Sequence, residues 1–161
     1  MTPLHVIAIL CIILSVIYVA SYFRSPKEIN ILQTSLRDFT FDMLREKQPI
    51  VIDDRVVVLD EIVKLWFKPN LNTPFRLTHS ELWHKNKYKY LVLQAEQEGD
   101  IYMYPTGKKM VNGLPDTEET LLAVHLLPGQ MLILPYRWWY HIPDRMMVSA
   151  VGVHDYITYI L

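Results

Sequence analysis

The sequence has little cysteine and almost no net charge. Cys11 is the only cysteine in 161 residues, which excludes a disulfide framework and a zinc site built from cysteines. The 16 basic and 17 acidic side chains leave a formal net charge of −1. That balance gives no electrostatic reason to propose nucleic acid as a partner. We also find no internal repeat and no low-complexity segment.

Charge is missing altogether from the first 23 residues. Within them, Val6 to Phe23 is an apolar run of eighteen residues with two serines. Extended back to Pro3, the run is about long enough to cross the ~30 Å hydrocarbon core of a bilayer as a helix. A cleaved signal peptide is the alternative, but Met1 to His5 lacks a basic segment and Tyr18 is not the small residue of a cleavage site. We therefore expect residues 1–24 to be a retained, single-pass membrane anchor.

The residues after the apolar run predict its orientation and the domain limits. Arg24 and Lys27 follow the run and no basic residue precedes it, which favours a cytosolic domain with both side chains at the membrane surface. Residues 25–35 are a short polar connector, and residues 36–161 form the domain.

The first part of the domain has helical signals. Ser35 and Asp38 form a capping-box pattern ahead of apolar residues at helical spacing, which predicts a helix over residues 36–47. Pro49 to Asp53 reads as a buried strand, and Val56 to Leu59 as a second one. Asp60 then caps a predicted helix over residues 60–68.

From Asn70 onward, short β-rich segments alternate with turn signals. Strands this frequent, without intervening helices, predict a mainly β antiparallel barrel or sandwich of about eight strands with the two helices packed outside it. The segments are PFRLTHS, YKYLVLQAE, DIYMYP, TLLAVHLL, QMLILP, WWYHI, RMMVSAVGV and DYITYIL.

Three stretches resemble one family. FTFDMLREKQPIVID (39–53), WHKNKYKYLVLQAEQEGDIYMYP (83–105) and LPGQMLILPYRWWYHIPD (127–144) are similar to the cupin-like, jelly-roll double-stranded β-helix of JmjC-like and asparaginyl-hydroxylase-like oxygenases. Members of that family hold Fe(II) with two histidines and one carboxylate, bind 2-oxoglutarate through a lysine, and receive the last histidine after a Pro-x-x-Trp-Trp turn.

Several positions depart from the family's pattern. The resemblance places His84 at the first ligand, Asn86 at the carboxylate and Tyr140 at the last histidine. His141 comes one residue late, which in a strand means the opposite face unless a bulge brings it into register. The lysine position falls on Gly99. These positions imply a degenerate oxygenase, a pseudoenzyme without metal or other cofactor.

Two further sets of residues are candidates for binding. Lys85, Lys87 and Lys89 alternate with His84, Asn86 and Tyr88, so they are predicted to face outward, either to solvent or to anionic lipid headgroups. The candidate ligand-binding residues are Tyr88, Tyr90, Gln94, Trp138 and Tyr140.

Three functions remain open from the sequence. The first is a membrane-anchored structural or binding protein with a non-catalytic cupin-like barrel. Such chains resemble small proteins of large DNA viruses, which implies a virion component that links an internal membrane to a capsid, with the bilayer and other proteins of the assembly as partners. The second is a hydroxylase that uses Fe(II) and 2-oxoglutarate at a membrane, with His84 and His141 as ligands. The third is a sugar- or lipid-binding barrel with an aromatic stacking pocket.

Overall fold

A computed structural model describes residues 3–26, 28–55, 58–68, 71–77, 82–108, 110–116, 120–143 and 146–160. Lys27 and the first half of the predicted strand Val56 to Leu59 lie outside these residues. The described part is mainly β, as the sequence predicts, with one long helix at its N-terminus.

The N-terminal helix, α1 (Pro3–Phe23), is 21 residues long and apolar enough to cross a membrane. It would be about 31 Å long at the usual rise per residue. None of its residues is buried against the rest of the chain, although Tyr22 near its end is half-buried. The apolar surface of α1 is therefore not part of the protein's own core.

The predicted helix over residues 36–47 is wrong. Ser35 and Asp38 form only one turn, in which the Asp38 N–H donates to the Ser35 Oγ at 3.1 Å. The chain then opens and forms a short 3-10 helix, Met43–Glu46, which ends at Lys47 in a left-handed conformation (φ 56°). The apolar residues of this segment still pack on the large sheet. Their helical spacing therefore correctly predicted that they are buried, but not that they form a continuous helix.

Two shorter helices complete the helical part. The helix α2 (Leu59–Trp66) confirms the predicted second helix, although its N-cap residue is Val58 rather than Asp60. The helix α3 (Tyr156–Ile160) replaces the last predicted strand. Asp155 caps α3, because its Oδ1 accepts the Thr158 N–H at 3.0 Å, and this cap favours a helical turn over the β-propensity of the tyrosines and isoleucines.

In the residues that the structure describes, twelve strands form a large sheet, a small sheet and one hairpin. In chain order they are β1 (Leu32–Thr34), β2 (Ile50–Ile52), β3 (Leu71–Leu77), β4 (His84–Lys85), β5 (Tyr90–Ala95), β6 (Gly99–Tyr104), β7 (Met110–Val111), β8 (Leu114–Pro115), β9 (Leu122–Leu126), β10 (Met131–Pro135), β11 (Trp139–His141) and β12 (Val148–His154). The strand β2 and seven of the eight predicted segments after Asn70 are confirmed as strands.

The strand order is that of a jelly roll. The large sheet runs β1-β2-β10-β5-β12-β3 and the small sheet runs β4-β11-β6-β9, while β7 and β8 pair with each other. From β3 to β12, strands are exchanged repeatedly between the two sheets through antiparallel pairs. The eight strands β3–β6 and β9–β12 form two four-stranded layers, β10-β5-β12-β3 and β4-β11-β6-β9. This order is typical of double-sheet jelly rolls.

The large sheet is covered on both faces. Its inner face packs on the small sheet through residues such as Leu91, Leu93 and Leu132. Its outer face carries Val92 and Ile133, which pack beneath α2 and the segment before β2. Alternate residues of β5 therefore enter different clusters, as the period of two in a strand requires. The space between the sheets is filled by side chains.

Candidate functional site

The Asn86 side chain, at the family's carboxylate position, holds the protein's own backbone. Its Nδ2 donates to the carbonyl oxygens of Leu134 and Pro135 at 2.9 and 2.8 Å, and its Oδ1 accepts the Tyr88 N–H at 2.9 Å. Both amide hydrogens are thereby used, and Asn86 is only 1% exposed. The side chain is a clamp on the turn that follows β10, not a group directed at a ligand.

The backbone of Asn86 holds the same turn. Its N–H donates to the Trp138 carbonyl at 2.8 Å, and its carbonyl accepts the Arg137 N–H at 2.8 Å. Arg137 takes a positive φ of 68°, which is uncommon for a residue with a side chain. The hydrogen bonds of Asn86 and the strained residue together define the turn from Pro135 to Trp138.

His84 and Tyr140 are opposite each other on β4 and β11, with ring centroids 5.7 Å apart. Tyr140 is 6% exposed and belongs to the core between the sheets, whereas His84 is exposed at the edge of the small sheet. Burial, with a further contribution from Tyr88, raises the pKa of Tyr140 to about 12. Tyr140 is therefore a protonated phenol at neutral pH, which is a poor ligand for a cation.

His141 lies on the opposite face of the small sheet. The register of β11 with β6 continues unbroken through Tyr140 and His141, so no bulge re-aims the histidine. Its ring stacks on Trp83 at 5.5 Å and lies 6.2 Å from Tyr102. The structure therefore gives His141 the outward direction that strand alternation predicts.

The family's lysine position is also filled differently. A Cβ added to Gly99 would meet the Met146 Sδ at 3.0 Å, so a methionine occupies the space beside it. The neighbouring Asp100 faces His125 on the outer surface, with 2.8 Å between the Asp100 Oδ1 and the His125 Nδ1. Neither residue supplies a cation for the distal carboxylate of 2-oxoglutarate.

The residues at the ligand positions do not fit a facial iron site. That site requires two imidazoles and an anionic carboxylate on one face of the metal. The structure offers one exposed imidazole, an amide with all its hydrogens engaged and a buried phenol. In the described part of the chain, no three His, Cys, Asp or Glu side chains form a group that could hold a metal ion.

The five candidate ligand-binding residues are not brought into one pocket. Trp138 is fully buried in the inner core, where its Nε1 donates to the Lys47 carbonyl at 3.0 Å. Tyr90 lies on the outer face of the large sheet, 5.4 Å from the ring of Phe67. Gln94 donates to the Gly129 carbonyl at 3.3 Å. The structure does not form the predicted stacking pocket, because Tyr90 lies on the outer face of the large sheet whereas Trp138 and Tyr140 belong to the core between the sheets.

The fourth aromatic residue of that set, Tyr88, packs on a strand. Its ring stacks on Phe75 at 5.6 Å and contacts His154 at 4.6 Å. A Cβ added to Gly152 would lie 2.3 Å from the Tyr88 ring, so the glycine makes room for the aromatic side chain. The Tyr88 ring is thus a packing element of β12.

The three alternating lysines do not share one surface. Lys85 is exposed above the Trp139 ring at 5.4 Å, and Lys87 is exposed beside Tyr88 at 5.7 Å. Lys89 instead has a side chain only 27% exposed, and its Nζ lies 3.2 Å from the Asp155 Oδ2. Alternation fails here because β4 ends at Lys85 and the chain bends at Tyr88 and Lys89 before β5.

A polar junction joins the end of α1 to the domain, and sequence reasoning missed it. Asp155 accepts hydrogen bonds from the hydroxyls of Tyr18 and Tyr22. The Lys47 Nζ donates to the carbonyl oxygens of Ser21 and Arg24. Lys47 is more than twenty positions from its partners in the sequence, and Asp155 is more than one hundred positions from its two tyrosines. No local sequence pattern predicts these contacts.

The turn held by Asn86 forms the other half of this junction. The Tyr136 ring meets the Tyr22 ring edge to face at 5.9 Å. The Arg137 guanidinium lies 5.2 Å from the centre of the Phe23 ring. A groove of about 300 Å³ opens between α1, the 3-10 helix and this turn. The junction therefore contains a concave surface that the fold places beside α1.

Comparison with known proteins gives a weak structural likeness. No protein-family model and no curated protein matches the sequence. Among solved structures, the chain is similar to RmlC from Streptococcus suis in complex with dTDP-D-xylose, at 8% sequence identity and a TM-score of 0.33. The alignment covers 67% of this chain and 62% of that chain, so less than two thirds of RmlC is spanned.

Proposed function

We propose that the chain is a single-pass membrane protein whose jelly-roll domain is a double-stranded β-helix with a structural or binding role, without oxygenase chemistry. This proposal rests on the contacts of the turn between β10 and β11, which matches the segment of the oxygenases that carries the last iron ligand. Asn86 holds the turn after β10, and Tyr136 and Arg137 of that turn contact the end of α1. The segment that delivers the last iron ligand in the oxygenases serves here to dock the anchor.

The surface of the protein supports a membrane anchor. Large apolar side chains are exposed along α1, and a bilayer would bury them at about 25 cal/mol per Å². Tyr18 and Tyr22 lie towards its end, and α3 beside them exposes Tyr156 and Tyr159. Tyrosines are enriched at both membrane interfaces, so this group supports a bilayer surface at the level of the junction.

A narrower role follows from the resemblance to anchored barrels of large DNA viruses. In that role the domain links an internal virion membrane to the capsid, on the cytosolic side during assembly. The bilayer and neighbouring proteins of the assembly would be its partners. Chemical cross-linking of the full chain in intact membranes or particles, followed by identification of the linked proteins, tests this role. We expect links to coat proteins, and links to none would contradict the virion role alone.

The anchor is tested by alkaline extraction of membranes. We expect the full chain to stay in the membrane pellet, because α1 is held by the hydrocarbon core, and a chain lacking residues 1–24 to be released. A chain carrying Ile9→Lys and Leu10→Lys is the matched control, because two central charges make insertion unfavourable. Release of the unchanged full chain would contradict the anchor.

The absence of oxygenase chemistry is tested by calorimetric titration of the full chain in detergent micelles. We expect no heat of binding with Fe(II) or Mn(II), and none with 2-oxoglutarate added afterwards, because neither the donor set nor the Gly99 position suits them. His84→Ala is the control. Micromolar metal binding that His84→Ala abolishes would show a functional metal site and overturn this part of the proposal.

A further inference from the structure

The groove at the junction is lined by basic side chains from separate parts of the chain. Arg24 follows α1, Arg45 and Lys47 belong to the 3-10 helix and its end, and Lys89 precedes β5. The groove measures about 300 Å³, which is within the range of small-molecule sites. The groove thus combines several positive charges with enough volume for a small ligand group.

Two of these four cations have a carboxylate partner and two do not. Arg45 pairs with Asp42 at 3.1 Å, and Lys89 pairs with Asp155 at 3.2 Å. In the residues that the structure describes, neither Arg24 nor Lys47 has a carboxylate within ion-pair distance. A groove that retains two such charges favours an anion.

The surroundings of Lys47 strengthen this conclusion. Burial lowers the pKa of Lys47, and the nearby charge of Arg24 lowers it further. The end of a helix carries partial negative charge that disfavours anions, but the Lys47 Nζ covers two of the carbonyls there. An anion between Arg24 and Lys47 would relieve their mutual repulsion and replace the solvation that burial removes.

Apolar side chains also line the groove, which favours an amphiphile over a simple ion. Leu44, Pro135 and Tyr136 line the groove beside the cations. One turn of α1 before Tyr18 and Ser21 of the groove, Leu14 and Ile17 are exposed, with 58% and 60% of their surface accessible. An acyl chain can follow these residues while its headgroup stays at the cations.

We infer that the junction groove binds the phosphate of an anionic phospholipid headgroup, with Arg24 and Lys47 as its counter-charges and the acyl chains along α1. This inference rests on the proposed membrane anchor, because only then does the groove lie at headgroup level. The site makes lipid part of the contact between α1 and the domain.

The test is native mass spectrometry of the full chain in micelles that contain equal amounts of phosphatidic acid and phosphatidylcholine with the same acyl chains. We expect the unchanged protein to retain phosphatidic acid in preference. Arg24→Gln and Lys47→Gln should each reduce that preference about fivefold, as expected for one basic side chain near a headgroup. Lys64→Gln, which removes a lysine paired with Asp60 on α2, is the matched control and should change nothing.

Each outcome decides the inference. Equal retention of the two lipids overturns the inference, and so does a preference that is unchanged in Arg24→Gln. Because Arg24 is exposed, that variant should leave the fold intact. Displacement of the lipid by excess sodium phosphate assigns the groove to free phosphate and also overturns it. Alkaline extraction of the same proteins separates the two proposals. A chain that stays in the membrane without lipid preference contradicts the groove alone, and a released chain contradicts the anchor.

Discussion

The barrel mouth, formed by His84, Asn86 and Tyr140, and the junction around Lys47 contact the same turn between β10 and β11, but they use polar side chains differently. At the mouth, Asn86 directs all its hydrogen bonds at backbone groups of its own chain. At the junction, Lys47 holds the end of α1 and still leaves charge facing a groove.

This difference shows that a buried polar side chain can serve the fold itself rather than a ligand. An asparagine has the size of an aspartate but carries two donors, so it can bind carbonyl oxygens that a carboxylate would repel. The hydrogen bonds of Asn86 hold the turn, with Trp138 buried beneath it. This turn contacts the end of α1, and the groove lies beside it rather than between the two sheets.

The largest effect is expected at Trp138, which connects the two regions. It is fully buried, and its indole N–H donates to the Lys47 carbonyl. Trp138→Ala should lower the free energy of unfolding by about 3–5 kcal/mol, through lost contacts and an unpaired carbonyl. Trp139→Ala, at a half-buried position on the outer face, should cost far less. Thermal unfolding of the full chain in micelles, followed by near-ultraviolet circular dichroism, measures both. Equal losses would mean that the turn does not depend on the core.

The second effect tests the clamp at the mouth. Asn86→Asp restores the family's carboxylate but places it 2.8–2.9 Å from two carbonyl oxygens without a hydrogen to donate. We expect a loss of about 2–4 kcal/mol in the free energy of unfolding, because a buried acceptor then faces two others. Asn112→Asp is the control, since Asn112 is exposed in a turn at φ 52° that aspartate tolerates. A neutral Asn86→Asp, or one that gains metal binding, would restore the oxygenase interpretation.

Sequence patterns were sufficient for β2, for seven of the eight predicted strands after Asn70, and for the direction of Tyr140 and His141. The period of two predicted that Tyr140 faces the core and His141 faces outward, and the apolar run predicted α1. Both predictions depend only on local spacing. They hold because sheet faces and helix surfaces repeat with fixed periods.

Three predictions failed where single polar contacts, rather than periodic spacing, determine the local structure. Ser35 and Asp38 closed one turn instead of starting a helix, and Asp155 converted a predicted strand into α3. Lys89 turned inward to Asp155 although alternation predicted an exposed lysine. The junction combines residues distant in the chain, so its cavity follows from the tertiary fold and not from any local pattern.

The third effect concerns the junction itself. Asp155 accepts hydrogen bonds from Tyr18 and Tyr22, pairs with Lys89 and caps α3. Asp155→Asn keeps the size of the side chain and removes its charge, so we expect a loss of about 1–3 kcal/mol. Hydrogen exchange should accelerate in the last turn of α1 and in α3. Asp116→Asn, at an exposed position, is the control. Unchanged exchange in α1 would show that Asp155 stabilises α3 alone.

A smaller effect is the pH dependence of stability, which should differ between the partly buried His154 and the exposed His125. Burial lowers the pKa of His154 from its ordinary value of 6.5, and the charge of Lys87 adds to this against an opposing hydrogen bond with Thr158. The unfolded chain therefore binds a proton more readily, so this contribution to stability is lost as the pH falls below the unfolded value of about 6.5. His154→Phe should flatten the acidic part of the stability profile measured by thermal unfolding. A profile that stays equally steep would assign the acid sensitivity to other groups.

The smallest effect has the opposite sign and lies on the outer face of the small sheet. Hydrogen bonds with Asp100, at 2.8 Å, and with Glu98, at 3.1 Å, raise the pKa of His125. The folded chain therefore holds the proton more tightly, and this contribution to stability is complete below the unfolded value of about 6.5 and is lost as the pH rises through the folded value. His125→Gln keeps hydrogen-bonding capacity but cannot titrate, so it should remove a slight decline in stability above the unfolded value and leave the more acidic part unchanged. Because all three side chains are exposed, the decline should also shrink in high salt. If His125→Gln instead alters the acidic part, the interior and the surface do not titrate independently, and the contrast between them fails.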